Sequence, residues 1–280
     1  MVDESRPSAS VLAPFVERPD RAAVVLDFDG TLSPIVDTPA DARLLAGAAE
    51  VLTALTRRYA VVAVVSGRPV SFLEPLLPAG MVISGLYGLE SVREDAYADL
   101  PGAGAWREAV EDVVRCSQDR GPSGMVVESK GLSLTLHYRG HSDLEPAVAE
   151  WAATQAARSG LVVRPARSSL ELHPPIAADK GTVVEGLVAD TGSVCFVGDD
   201  YGDLPAFDAL DRLEARGLHV LRVGVASPEA PEELTQRADL VVDGPDGVLD
   251  FLRQLVPTPD ADRSRDQPEA MTNGAAGSRQ

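Results

Sequence analysis

The chain predicts a doubly wound α/β fold, a parallel sheet with helices on both faces, interrupted by a smaller α+β unit. Apolar, β-branched runs alternate with helical segments at both ends of the sequence. The middle has a different grammar, with a hairpin-like pair of strands between polar helices. Acidic and hydroxyl-bearing residues recur where the apolar runs stop, which is where open α/β sheets place their ligands.

In order, a strand is predicted over 22–26, where Val24-Val25-Leu26 closes an unbroken apolar run. A helix over 42–58, a strand over 60–65, a short helix over 70–77 and a strand over 81–84 complete the first block. A helix over 103–120 opens the middle. Met125 to Glu128 and Leu132 to Tyr138 then read as an antiparallel hairpin joined by Ser129-Lys130-Gly131. A helix over 143–158 and strands over 161–164 and 170–173 follow. The last block alternates a helix over 181–189, strand 193–197, helix 204–215, strand 219–225, a short strand 240–242 and a closing helix 245–255. The expected domains are an N-terminal extension (1–19), a core (20–90 and 180–256), an insertion (91–179) and a tail (257–280). Almost free of apolar residues, the tail is expected to be disordered.

Composition narrows the function. At 280 residues with 45% hydrophobic and 24% charged side chains, the chain suits one large domain or two modest ones. A net charge of −18 argues against a nucleic-acid or anionic-membrane partner. A phosphorylated substrate would meet the same long-range repulsion, so its site must supply local positive charge. Met1 to Pro19 lacks the basic start and apolar core of a signal peptide, and no apolar run approaches a membrane span. Cys116 and Cys195 are the only cysteines, with neither a disulfide framework nor metal-site spacing, and a reducing cytoplasm is expected. Oligomeric state is left open.

The stretch Leu26-Asp27-Phe28-Asp29-Gly30-Thr31 sets two carboxylates two residues apart at a strand end. Such a pair makes most sense around a hard divalent cation, and a carboxylate can also attack phosphorus to give an aspartyl phosphate. The plainer reading is an Asx-rich turn. Val65-Ser66-Gly67-Arg68 ends the next strand with a hydroxyl able to bond a phosphate oxygen, or with a mere turn. Among 25 basic residues only Lys130 and Lys180 are lysine, a compact point charge where the rest of the chain uses the arginine fork. Lys180 directly precedes a helix; Lys130 reads equally as a hairpin turn residue. Gly198-Asp199-Asp200-Tyr201-Gly202-Asp203 brings three acids to another strand end, or an acidic N-cap to the helix that follows.

In that order, DxDGT, Ser, Lys and GDDxxD resemble the haloacid dehalogenase (HAD) superfamily of aspartate-nucleophile phosphatases. The resemblance implies a HAD-like, Rossmann-like core with an inserted cap of the C2 type. It implies Asp27 as nucleophile, Asp29 as general acid and base, and Ser66 and Lys180 as phosphoryl ligands. Mg²⁺ would be held by Asp27, the Asp29 backbone carbonyl and Asp199, with Asp200 and Asp203 in support.

DFDGTLSPIVDTPADA, SGR, GLYGLE, Glu128-Ser129-Lys130, His137-Tyr138-Arg139 and Leu170-Glu171-Leu172-His173-Pro174 resemble the trehalose-6-phosphate phosphatases within that superfamily. This similarity implies hydrolysis of trehalose 6-phosphate, a sugar phosphate, under a closing cap, with Arg68, Glu128, Lys130, Arg139 and Glu171 as substrate contacts. For Glu128 and Arg139 the alternative is paired charges on a solvated sheet face. The family commonly carries histidine where this chain has Tyr87, and Thr-Asp-Glu where it has Gly202, Asp203 and Leu204. Two other functions stay open: a phosphatase for another glycosyl or pseudo-disaccharide phosphate, and a catalytically silent sugar-phosphate sensor.

Overall fold

The computed structural model describes residues 9–36, 38–166, 168–227 and 230–256. The tail expected to be disordered, and the first eight residues of the extension, lie outside them. The elements in chain order are α1 (Ala9–Glu17), β1 (Ala22–Leu26), α2 (Ala48–Thr56), β2 (Val61–Val65), α3 (Val70–Leu73), β3 (Val82–Gly85), β4 (Glu90–Arg93) and β5 (Ala96–Asp99). There follow α4 (Arg107–Arg120), β6 (Val126–Ser129), β7 (Leu134–His137), α5 (Glu145–Ser159), β8 (Val162–Ala166) and β9 (Ser169–His173). The chain closes with α6 (Lys180–Leu187), β10 (Ser193–Gly198), α7 (Leu204–Ala215), β11 (His219–Ala226), α8 (Glu232–Arg237), β12 (Leu240–Asp243) and α9 (Gly244–Gln254).

Eight strands form one sheet in the order β12-β11-β10-β1-β2-β3-β4-β5, parallel from β12 to β3 and antiparallel beyond. β1, β2 and β10 are buried along their whole length, which is why they read as continuous apolar runs. Residues alternate between two cores. Val24 and Leu26 pack with α2 and α9 through Leu52 and Phe251, while Val25 and Ala23 pack with α6 and α7 through Val184 and Phe207. From β1 the chain runs outward to β3 on one side and returns as β10 on the other. The strand order therefore reverses at β1, and the crevice at its carboxyl end is where such sheets bind ligands.

A second sheet, β6-β7-β9-β8, is antiparallel throughout and packs Leu134, Leu136 and Leu172 against Val110, Val148 and Ala152 of α4 and α5. This is the inserted unit, so the parallel-sheet core with an inserted α+β unit expected from the sequence is the architecture observed.

The structure differs from the sequence reading in several places. Residues 91–99, expected in the insertion, belong to the large sheet, because Ser91 and Val92 pair with Ser84 and Ile83. The helix expected from 42 begins only at Ala48, since Gly47 takes a left-handed φ of 85° and the Leu45 amide is bonded to the Leu32 carbonyl. The extension holds an unanticipated helix, α1, whose Leu12 and Phe15 are buried in the main core. Pro14 inside α1 hides it from a helix reading, as proline normally breaks helices. Among the described residues no helix is long and apolar enough to cross a membrane.

Candidate active site

β1 ends at Leu26, and the next residues keep its alternation for three more positions. Phe28 points into the core against Phe72. Asp27 and Asp29 fall on the other side, and the Asp27 amide still bonds the Val197 carbonyl of β10. Gly30 then turns the chain at φ 75°. No side chain fits there, because a Cβ at Gly30 would lie 2.1 Å from Oδ2 of Asp199. The glycine of DxDGT thus lets the loops after β1 and β10 meet.

Lys180 begins α6, capped by Asp179, whose side chain accepts from the Thr182 amide. Its ammonium, 2% exposed as a residue, lies 2.7 Å from Asp27 Oδ1 and 2.6 Å from Asp203 Oδ1. The other Asp203 oxygen accepts from the amides of Asp199 (2.8 Å) and Asp200 (3.1 Å). Both Asp203 oxygens are therefore hydrogen-bonded within the protein, and Asp203 fixes Lys180 and the loop after β10 as well as leading into α7.

The site carries more negative charge than Lys180 can offset. Burial, then Asp203 and Asp200, push Asp199 up to about 8, against the partial pull of Lys180. Burial likewise raises Asp27, opposed chiefly by Lys180. Among the described residues, Asp199 has only the Thr31 hydroxyl, at 3.5 Å, as a side-chain donor. Carboxylate oxygens of Asp27, Asp200 and Asp203 lie within 4.8 Å of one another. Asp27 and Asp203 each have one oxygen on Lys180, so Asp199 and Asp200 are the two of these four acids without a lysine contact. A buried, nearly donorless carboxylate among other acids is the environment a hard dication satisfies.

Ser66 ends β2, nearly buried, and its hydroxyl accepts from the Arg68 amide at 3.2 Å. Arg68 departs from expectation. Its guanidinium grips Asp29 in a two-pronged pair, Nε to Oδ2 at 2.8 Å and Nη2 to Oδ1 at 2.7 Å. A third bond goes to the Pro39 carbonyl, and the Phe72 ring lies 4.5 Å beneath. Arg68 thus lines the cleft but spends its donors on Asp29 rather than facing a substrate unpaired.

The inserted sheet supplies the facing wall. Glu128 is paired opposite Thr135, Thr135 opposite Glu171, and Glu171 opposite Arg164. Directly opposed residues share a face, so the four form one polar row across the sheet. Arg164 lies 4.7 Å over the Tyr87 ring of the core, which turns this face toward the carboxyl ends of the parallel strands. Glu171 is buried and accepts from the Ser133 hydroxyl at 2.7 Å. Glu128 is held by His137 at 2.8 Å, and that bond first of all lowers its pKa. The alternative of a Glu128–Arg139 pair is replaced by this histidine, while Arg139 reaches the Val36 carbonyl of the core at 3.4 Å. Lys130 sits in the turn between β6 and β7, with its amide on the Ser133 carbonyl. A cleft of about 1070 Å³ separates the two walls, lined by Asp29, Arg68, Tyr87 and Asp199 from the core and by Arg139 and Arg164 from the insertion.

The trehalose-phosphatase family model matches residues 25–239, both walls of this cleft included. The chain belongs to that family. A trehalose-phosphate phosphatase of Mycobacterium leprae is 32% identical over 249 residues, covering 83% of this chain and 57% of that protein. The trehalose-phosphate phosphatase of Mycobacterium avium is 33% identical over 211 residues, covering 71% of this chain and 54% of its own. The chain thus spans little more than half the length of these family members. Among solved structures, the C-terminal domain of Candida albicans trehalose-6-phosphate phosphatase superposes with a TM-score of 0.71 at 23% identity, over 90% of this chain and 98% of that one. A haloacid dehalogenase-like hydrolase of Bacteroides thetaiotaomicron superposes at 0.56 and 16% identity, over 84% and 99%. At these identities the likeness is one of fold.

Within the family frame, the structure gathers Asp27, Asp29, Ser66, Lys180, Asp199, Asp200 and Asp203 at adjoining strand ends. Ser133, Thr135 and Arg164 were not singled out by sequence, and Thr31 and His137, though part of the motifs, were given no role. A signal existed for three of them. Ser133-Leu134-Thr135-Leu136-His137 alternates with period 2, and once the leucines are assigned to the core the other three must share the opposite face.

Proposed function

We propose that the chain is a phosphate monoester hydrolase that uses Asp27 as nucleophile and takes trehalose 6-phosphate as substrate. The observation that carries the reading is the Asp27 carboxylate, buried at the carboxyl end of β1, with one oxygen held 2.7 Å from Lys180 and Asp29 beside it. Lys180 restrains Oδ1 and leaves Oδ2 to attack. A bond forms from Oδ2 to phosphorus as the bond from phosphorus to the sugar oxygen breaks, and protonated Asp29 delivers its proton to that oxygen. Asp29 then takes a proton from water, whose oxygen attacks the phosphorus and returns Asp27 to the carboxylate. Arg68 has to relax its grip on Asp29 during this cycle, because the guanidinium engages both Asp29 oxygens and leaves neither facing the leaving group.

Ser66 and Lys180 supply donors to the phosphoryl oxygens. Asp27, Asp199 and Asp200, with the Asp29 carbonyl, would hold Mg²⁺, which when bound supplies positive charge against the phosphoryl group. The polar row Glu128–Thr135–Glu171, with Lys130 and Arg139 nearby, suits the hydroxyls of a sugar, and the cleft is roomy enough for a disaccharide. The full set Asp27, Asp29, Lys180 and Asp199 favours an enzyme over a silent sensor, which has no use for Asp29. A location in the cytoplasm accords with this substrate. Phosphate release across a panel of sugar phosphates with Mg²⁺ is the direct test. Preference for trehalose 6-phosphate supports the reading, preference for another glycosyl phosphate changes the substrate, and turnover of none returns the sensor.

A further inference from the structure

Tyr87 has a conformation that its residue type resists. It follows Leu86, and the two sit at φ 52° and 58°, in the left-handed region that bulky side chains rarely enter. What holds them there is the phosphate-side loop. The Leu86 amide bonds the Arg68 carbonyl, and the Tyr87 amide bonds the Ser66 carbonyl, both at 3.0 Å. The ring is thereby set against the Ser66-Gly67-Arg68 turn so closely that a Cβ at Gly67 would lie 2.6 Å from Tyr87 Cζ. A Cβ at Gly202, in the acidic loop after β10, would lie 3.6 Å from the other edge of the ring. One aromatic ring therefore touches the loop bearing Ser66 and the loop bearing Asp200.

Its exposed face is covered by the insertion. The Arg164 guanidinium lies 4.7 Å from the ring centroid, with Nη2 3.5 Å from the Ala178 carbonyl, just ahead of Asp179 and Lys180. Arg164 is also the end of the polar row, directly paired to Glu171. Wherever Arg164 is seated, Glu171, Thr135 and Glu128 follow, because they are fixed to it by strand register. We propose that Arg164 on Tyr87 is the docking contact that seats the cap, and that Tyr87 is a positioning residue tying the place of the sugar-binding row to the loops of Ser66 and Asp200. The cation needs the face of the ring, and the backbone strain keeps that face presented. The Thr135 hydroxyl, buried and without a hydrogen-bond partner among the described residues, lies in the row that this contact sets in place.

The substrate half of this inference rests on the sugar-phosphatase reading, so the test has an arm that needs no substrate. Small-angle scattering on the full chain should give a larger radius of gyration for Arg164→Met and for Tyr87→Leu than for wild type, and no change for Tyr87→Phe, which keeps the ring. With the sugar phosphate that the wild type hydrolyses best, each disrupting variant should lose about tenfold in kcat/KM, and the double variant no more than either alone. Tyr87→Phe should stay within about twofold, whereas a fold defect would not spare it selectively. Unchanged scattering in both disrupting variants, additive losses, or Tyr87→Phe as damaging as Tyr87→Leu would each overturn the docking contact. A wild-type enzyme that leaves trehalose 6-phosphate untouched refutes that substrate and leaves the scattering result standing on its own.

Discussion

Lys180 is held 2.6 Å from Asp203, a carboxylate with no exposed surface that also accepts two backbone amides. Desolvation raises both groups' stakes: burial pushes Asp203 up to about 6 in spite of the lysine. Asp203→Asn leaves Lys180 paired with Asp27 alone and takes away the acceptor of the Asp199 and Asp200 amides, so it should lower stability to urea by about 1 kcal/mol or more and reduce turnover, because Lys180 loses the anchor that aims it at Asp27. Unaltered urea unfolding would show that the pair is dispensable.

Asp27→Asn should abolish phosphate release and leave the circular dichroism spectrum intact, since an amide cannot form the aspartyl phosphate. Asp29→Asn should discriminate between leaving groups. Aryl phosphates, which leave without a proton, should suffer less in the first step than sugar phosphates, and equal losses for both would assign Asp29 another role.

Chelation should silence the enzyme and Mg²⁺ restore it, with Ca²⁺ a poor replacement because its larger coordination sphere invites both Asp27 oxygens and spoils the line of attack. Retained activity in excess chelator would dismiss the cation.

Lys130→Ala and Glu171→Gln should separate sugar recognition from phosphate chemistry. Each is expected to cost about 2 kcal/mol in kcat/KM toward trehalose 6-phosphate and little toward an aryl phosphate. Glutamine is chosen at 171 because alanine would also orphan the Ser133 hydroxyl. Loss on both substrates alike would place these residues in folding or cap seating.

His173 offers a pH signature of the insertion. Burial first, then Arg164, lowers its pKa below the ordinary 6.5, so the folded protein keeps it neutral where the unfolded chain protonates it. Unfolded chains then bind more protons, and stability should fall as pH drops below about 6.5 toward the folded value. Urea midpoints taken at pH 7.5 and 5.5 should differ more for wild type than for His173→Gln; an equal difference would place the acid sensitivity elsewhere.

The core was readable because its signals are local. A parallel strand buried on both faces must be apolar throughout, so 22–26 and 193–197 declared themselves, and the acids just beyond them marked the ligand edge. Where local and tertiary preferences conflict, reading failed. Pro14 argues against a helix that packing of Leu12 and Phe15 nonetheless holds. β4 and β5, at the sheet's far edge, are short and half polar and resembled the insertion that follows them.

Sequence alone determined which chemical groups stand at the strand ends, because backbone alternation and loop position follow from residue type over a few neighbours. It determined the two-unit organisation for the same reason. Only tertiary structure decided who pairs with whom: that Asp203 anchors Lys180, that Arg68 takes Asp29, that Glu128 takes His137, and that Arg164 rests on Tyr87. These pairs join residues 9 to 77 positions apart on different elements. Their distances are set by how sheets and helices pack, and no local pattern in the chain encodes that.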